Sequence, residues 1–199
     1  MNHYFNSNEN LKHKQTKTEY VHKFTRFEFI TDIGVFAKAG VDPATDILLE
    51  VLPKMSGKVL DLGCGYGVVG VVFSKLYGKQ VELTMSDVNG RALELAKINA
   101  EKNGVKAAII KSDGFENIPE KFSHIIMNPP IHAGKAVIYK IYDEVHEHLE
   151  PGGSFFVVIQ KKHGAQTHRQ KLSELFGEQN CVVLYSKKGY FVFEFKKTA

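Results

Sequence analysis

The 199-residue sequence predicts an α/β fold: a mostly parallel sheet with helices on both faces, finished by an antiparallel hairpin. Three observations predict it. From Gly57 to Phe176, short buried-looking apolar runs alternate with longer stretches of helical period, the pattern of strand and crossover helix. A glycine-rich turn follows the first of these runs directly. The last two apolar runs, Cys181 to Tyr185 and Tyr190 to Phe195, are joined by the short turn Ser186 to Gly189, a hairpin signal.

In chain order, residues 1–18 read as a flexible polar arm. Tyr20, Phe24, Phe27 and Phe29 then alternate loosely with polar residues, as a strand or hairpin would. Residues 19–40 make a small β cap, and residues 41–199 the core of one domain. Asp42 followed by Pro43 starts a helix, the aspartate as N-cap and the proline where its missing N–H costs nothing; Pro53 stops it after Leu52. Strands follow at Val59–Leu62, Val81–Met85, Val105–Ile110, Phe122–Met127 and Ser154–Ile159. Helices are expected up to Tyr77, from Asn89 to Lys102 with Asn103-Gly104 as terminator, from Lys135 to Leu149 ahead of Pro151-Gly152-Gly153, and from Ala165 to Phe176.

Composition narrows the class. A hydrophobic fraction of 43% and a charged fraction of 24% are those of a globular chain. No apolar run approaches the roughly 20 residues of a membrane helix, and Met1 to Thr18 lacks a signal-peptide core, so a cytoplasmic protein with no membrane association is expected. Cys64 and Cys181 lack zinc-ligand spacing and read as structural thiols; no metal is expected. His146 and His148, two apart on a helix, do not share a face. The net charge of +4 is unevenly spread: Lys161, Lys162, Arg169, Lys171, Lys187, Lys188, Lys196 and Lys197 crowd the C-terminal part, and Lys12, Lys14, Lys17, Lys23 and Arg26 the N-terminal part. If the two ends share a face, they form a surface for phosphate backbones; ordinary solvated lysines are the alternative.

Two stretches carry chemistry. Asp61-Leu62-Gly63-Cys64-Gly65-Tyr66-Gly67 opens a helix where an α/β sheet binds nucleotide-like ligands, and Asp87, about 20 residues on, can accept both hydroxyls of a ribose. Asp113, with Gly114 and Phe115, can hold an adenine edge and face; Cys64 and Val88 complete the lining. Gly65 to Gly70 is also a formal GxGxxG, which admits a dinucleotide, but the Asp61 carboxylate repels a pyrophosphate and suits ammonium and sulfonium charges. The second stretch, Met127-Asn128-Pro129-Pro130-Ile131-His132, ends a strand pointing into the same crevice. Asn128 Oδ1 and the Pro129 carbonyl form a rigid pair of acceptors, which selects an NH2 over a carbonyl oxygen. Gripping both N–H bonds aims the nitrogen lone pair at a methyl donor. Phe36 and Lys38 are candidates to cover a substrate, and His132 and Lys135 to touch it; Phe27 and Phe29 read as core.

On these residues, with Gly34-Val35-Phe36, Ser86-Asp87-Val88-Asn89-Gly90-Arg91-Ala92, Ser112-Asp113-Gly114, Ala133-Gly134-Lys135 and Gly152-Gly153, the chain resembles the small-domain methyltransferase family. Within that family it resembles the catalytic half of the small-subunit ribosomal RNA guanine-N2 methyltransferases. The resemblance implies a Rossmann-like class I sheet of seven strands and S-adenosylmethionine as methyl donor. It places the methionine part of the donor on Asp61, Gly63, Cys64, Gly65 and Gly67, its ribose on Asp87, and its adenine near Asp113. Asn128 and Pro129 become the amine-binding pair, with Pro130 and Ile131 beside them. It further implies ribosomal RNA or the small ribosomal subunit as partner, with a monomer as default. Ile131 stands where many relatives carry an aromatic residue, and the extra N-terminal domain of larger relatives is missing here. The same chemistry on adenine N6 or a protein glutamine, a noncatalytic RNA-binding assembly factor, and an NAD-binding oxidoreductase are the competing readings.

Overall fold

The structure, a computed structural model, describes residues 14–37 and 40–198. It opens on a hairpin of β1 (Thr16–His22) and β2 (Thr25–Thr31), paired from Thr16↔Thr31 to His22↔Thr25. Lys23 and Phe24 take positive φ values of 45° and 63°, a primed turn that matches the twist of the strands. Phe24 is therefore the exposed tip and not a member of the strand alternation, whereas Phe27 and Phe29 are buried. Thr16 to Thr18, expected in a polar arm over residues 1–18, are instead paired in the hairpin; residues 1–13 lie outside those described.

The core follows as α1 (Pro43–Val51), β3 (Gly57–Leu62), α2 (Val68–Tyr77), β4 (Val81–Asp87), α3 (Gly90–Lys102), β5 (Ala108–Lys111), β6 (Phe122–Met127), α4 (Lys135–His148), β7 (Leu149–Gln160), α5 (Ala165–Phe176), β8 (Cys181–Lys187) and β9 (Tyr190–Lys196). The seven strands after the hairpin form one sheet in the order β5-β4-β3-β6-β7-β9-β8. All neighbours from β5 to β7 are parallel, and β9 runs antiparallel between β7 and β8. The order reverses between β3 and β6, the point at which such a sheet opens a crevice beyond its carboxyl ends.

Both faces are covered, so strand residues are buried in succession: Val59 joins the core beneath α1, α2, α3 and the hairpin, and Leu60 the core beneath α4 and α5. Boundaries differ from the sequence reading where backbone pairing overrides the apolar pattern. β5 is shorter than Val105–Ile110, because the Val105 N–H donates to Ala100 O and closes α3 through Gly104 at φ 66°. β7 is longer than Ser154–Ile159 and runs through Pro151-Gly152-Gly153: the Gly152 N–H donates to Lys197 O, the Lys197 N–H donates to Gly153 O, and a bulge opposite Phe122 and His124 absorbs the irregularity. The β8–β9 turn shrinks to Lys188 and Gly189.

Candidate active site

The register of the sheet brings the two chemical stretches together. Leu62 lies opposite Ser86 on one side and Met127 on the other, and Asp87 lies opposite Lys111. The glycine turn, Asp87, the Ser112–Asp113 segment and Asn128 thus leave four adjacent parallel strands at one end, spaced about 5 Å apart per strand.

Gly63 and Gly65 hold φ values of 71° and 56°, and a Cβ on either would meet nothing within 4 Å. The turn therefore leaves bare backbone bordering open space. At Gly70 a Cβ would sit 2.8 Å from Met85 Sδ, so that glycine serves the packing of α2 on the sheet. Gly67, the N-cap of α2, has no side chain to cap the helix. Asp61 supplies the cap from the strand: its Oδ2 accepts the Gly70 N–H at 2.8 Å. Burial pushes the Asp61 carboxyl up to about 7, the Gly70 N–H opposes this, and the nearby Asp87 adds to it. Asp87 is itself raised by burial, against N–H groups donating from Asn89, Gly65 and Val88. Its Oδ2 accepts from Gly65 and its Oδ1 from Asn89, both at 2.8 Å, which leaves acceptor capacity on each oxygen. Cys64 is buried, with its N–H on Ser86 O, and burial followed by the charges of Asp61 and Asp87 raises its thiol well above the usual range.

The Ser112 N–H donates to Asp87 O, which holds the exposed Asp113 and the half-buried Gly114 beside the ribose-site candidate; Val88 is half-buried. Phe115 departs from expectation: its ring is buried in the α4 side of the core and stacks on His148 at 4.2 Å, so no open face remains for an adenine. His146 packs against Phe176 instead, and among the described residues no cluster of His, Cys, Asp or Glu could hold a metal ion.

At the second corner Asn128 is half-buried and Pro129 buried. The Asn128 Nδ2 donates to Asp42 Oδ2 and Thr45 Oγ1, each at 3.1 Å. The Pro129 carbonyl already accepts the Ile131 N–H at 2.9 Å, which takes one of its two lone pairs. Pro130 and Ile131 are half-buried; His132 and Lys135 are exposed just beyond, and Lys135 begins α4. Phe36 is 51% exposed, next to the buried Val35. Lys38 lies outside the described residues.

Side chains whose reach the sequence did not show hold Ile33, Gly34 and Gly40 in place. The Asn89 Nδ2 donates to Gly34 O, Arg91 Nη1 to Ile33 O, and the Tyr66 hydroxyl to Gly40 O. Asn89 was legible as a helix start, since its side chain also caps α3, but its reach to Gly34 was not.

Charge divides along the crevice. Asp61, Asp87 and Asp113 border it on the β3-β4-β5 side, whereas no acidic residue occurs from Lys121 to Tyr142, from Pro151 to Ser173, or from Gln179 to Phe193. The Lys161 N–H donates to Gly189 O, so the Lys187–Lys188 turn adjoins the Lys161-Lys162-His163 turn. Burial is the main cause that lowers His163 and His168; Lys162 and His132 add to it at His163, and Lys135 and His163 at His168, so these basic side chains lie near one another. Two N-terminal cations, Lys23 and Arg26, do not join them: Lys23 Nζ reaches the Tyr77 hydroxyl at the far end of α2, and Arg26, near the same hairpin tip, pairs with Glu19. Of the C-terminal lysines, Lys197 also stands apart, capping α4 through His146 O and Leu149 O at the opposite end of the sheet.

A family model described as methyltransferase small domain matches residues 26–194. Bacillus subtilis YbxB is 38% identical over 98% of this chain and 98% of its own length. Ribosomal RNA small subunit methyltransferase C of Pasteurella multocida is 42% identical over 63% of this chain, which spans only 39% of that protein. The T. thermophilus 16S rRNA N2 G1207 methyltransferase (RsmC), solved in complex with AdoMet and guanosine, matches with a TM-score of 0.81 at 27% identity, over 92% of this chain and 50% of that one.

Proposed function

The chain belongs to the methyltransferase small-domain family, and we propose that it transfers a methyl group from S-adenosylmethionine to an exocyclic amine, guanine N2 of small-subunit ribosomal RNA. The observation that carries this reading is the pairing of Leu62 with Met127, which makes the glycine turn and the Asn128 corner neighbours at the reversal point of the sheet.

The residues present fit the donor. Gly63 and Gly65 offer uncovered backbone, and Asp87 retains acceptor capacity for ribose hydroxyls. Val88, Asp113 and Gly114 border the adenine position, with Cys64 and Gly67 completing the turn. Two carboxyls held up by burial, Asp61 and Asp87, gain from a cationic neighbour. When bound, S-adenosylmethionine supplies an electrophilic methyl on a sulfonium.

On the other side, Asn128 Oδ1 and the remaining lone pair of the Pro129 carbonyl accept the two N–H bonds of the target amine. An aromatic amine conjugates its lone pair into the ring. Two fixed acceptors favour pyramidal nitrogen and aim that lone pair across the crevice, so positioning and preorganised dipoles do the work without a strong base. Pro130 and Ile131 give the base an apolar flank in place of an aromatic stack, and Phe36, His132 and Lys135 border the substrate. A base stacked in RNA must be exposed or flipped to enter. The acid-free turns beside Asn128 suit the phosphates that accompany it.

Incubation with tritiated S-adenosylmethionine and either small ribosomal subunits, naked ribosomal RNA, transfer RNA or DNA, followed by nucleoside analysis, tests the reading. The expected product is N2-methylguanosine in small-subunit RNA. Asn128→Ala is expected to lower turnover at least about 100-fold, the scale of losing a preorganised polar contact to the reacting group, with donor affinity within about twofold. Methylation of adenine N6 would move the substrate assignment, and full activity of Asn128→Ala would refute the amine grip.

A further inference from the structure

We propose that Asp42 and Thr45, at the start of α1, are positioning residues that set the orientation of the Asn128 amide. The proposal rests on the methyl-transfer reading of the Asn128 corner and adds to it two residues from a different element.

An asparagine side chain can be turned by 180° about its last bond at little steric cost, and only its neighbours decide whether oxygen or nitrogen faces a substrate. Here the neighbours decide. A carboxylate accepts hydrogen bonds and does not donate them, so Asp42 Oδ2, 3.1 Å away, must meet the amide nitrogen of Asn128. Thr45 Oγ1, also at 3.1 Å, takes the second N–H. With both N–H bonds directed into α1, Oδ1 is the atom left to meet an incoming amine. Had the nitrogen faced out, it would repel the donor groups it is meant to grip.

The clamp is itself held rigid. The same Asp42 Oδ2 accepts the backbone N–H groups of Ala44 at 3.0 Å and Thr45 at 3.2 Å as the N-cap of α1. Leu48 and Leu49, one turn further on, are buried in the core and fix the helix against the sheet. Thr45 is also buried, so its hydroxyl is not averaged by solvent. A chain contact spanning 86 residues thus gives one carboxylate two duties, capping the start of a helix and orienting the side chain that follows β6. The sequence reveals the first duty and hides the second.

The test separates these duties. Asp42→Ser retains a good N-cap but withdraws the carboxylate, and Thr45→Val is close to isosteric and withdraws only the hydroxyl. In side-chain amide NMR of the ligand-free protein, the Asn128 NH2 protons are expected to be protected from solvent exchange by at least about tenfold over an exposed asparagine. Protection should be lost in the double variant Asp42→Ser/Thr45→Val. The kcat for methyl transfer to small-subunit RNA should fall about 10- to 100-fold in that variant, with donor affinity by calorimetry unchanged. Asp42→Asn, which keeps both the cap and an acceptor, should restore most of the rate. A rapidly exchanging Asn128 amide in the parent protein overturns the clamp whatever the enzyme methylates, and so does a double variant with parental kcat. A protected amide in a protein that methylates no nucleic acid instead leaves the clamp standing and removes the function it was assigned to serve.

Discussion

Asp61 is where the site stores electrostatic strain. Its carboxyl stands at about 7 against an ordinary 3.8, burial being the main cause, the Gly70 N–H opposing and Asp87 reinforcing. The sign of the consequence follows from proton linkage. Between those two values the folded protein holds a proton that the unfolded chain has released, so stability falls as pH rises from about 4 and levels off above about 7. Thermal unfolding of the ligand-free protein should show this decline, and Asp61→Asn, which removes the charge but keeps an oxygen for the Gly70 N–H, should flatten it. A cationic donor favours the ionised form. Donor affinity is therefore expected to fall about tenfold per pH unit below 7, with proton release visible by calorimetry in buffers of different ionisation enthalpy. Asp61→Asn should bind the donor more weakly and lose most of that pH dependence; a pH profile identical to the parent's would place the titrating group elsewhere. The sequence displayed this aspartate ahead of a glycine turn, which sufficed to suggest a cationic ligand. It did not display that Gly67 is the N-cap of α2, and only that makes Asp61 the cap of a helix that has none of its own.

Between elements, the most informative junction is the one joining the β1–β2 hairpin to the core. Asn99, fully buried on α3, accepts the Ile30 N–H through Oδ1 at 2.7 Å and donates through Nδ2 to Ile30 O and Tyr66 O, each at 2.9 Å. Asn103, one turn later, accepts the Glu28 N–H and donates to Glu28 O. Two amides four residues apart on a helix thus act as the next strand for alternate residues of β2, and one of them also reaches the glycine turn. Asn99→Ala leaves the half-buried backbone groups of Ile30 and the buried carbonyl of Tyr66 without partners, which should cost about 3 kcal/mol in urea unfolding; Asn103→Ala, whose Glu28 contacts are exposed, should cost about 1 kcal/mol or less. Equal losses at the two positions would mean that burial is not what makes Asn99 matter. Alternation of strand and helix made the parallel sheet legible, because each of those elements carries its own period. The hairpin tip was misread because Phe24 looks like a strand residue, and only the positive φ of Lys23 and Phe24 reveals the turn. Phe115 was misread for a related reason: an aromatic residue after an aspartate at a strand end suits a ligand face as well as a core, and the deciding partner, His148, lies on another helix.

Across the whole molecule, the sheet order turns a one-dimensional charge pattern into a two-sided crevice. Acid-free segments separated by Asp143–Glu150 and Glu174–Glu178 converge on the β6-β7-β9 side, while the acidic strand ends occupy the other. Such a division attracts a cationic cofactor and a polyanionic substrate to opposite walls, with Asn128 between them. The sequence showed the C-terminal excess of lysines, but it could not show which of them share an end of the sheet. Lys187 and Lys188 lie at the crevice end, whereas Lys196 and Lys197 lie at the other, because β9 runs antiparallel to β7 and carries its two ends to opposite poles. The prediction is a contrast between two titrations on the same protein. Binding of small-subunit RNA should weaken steeply with salt, the logarithm of the affinity falling by about 0.7 to 0.9 per phosphate contact for each tenfold rise in salt, while donor affinity changes far less. Replacing Lys162 and Lys188 together by glutamine should reduce that slope by about two contacts and raise the RNA KM, leaving kcat near its parental value, since neither residue belongs to the glycine turn or the Asn128 corner. The control pair Lys196→Gln/Lys23→Gln removes the same charge from the opposite end of the sheet. If both pairs flatten the salt response equally, net charge and not its placement governs RNA capture, and the two-walled crevice is the wrong description.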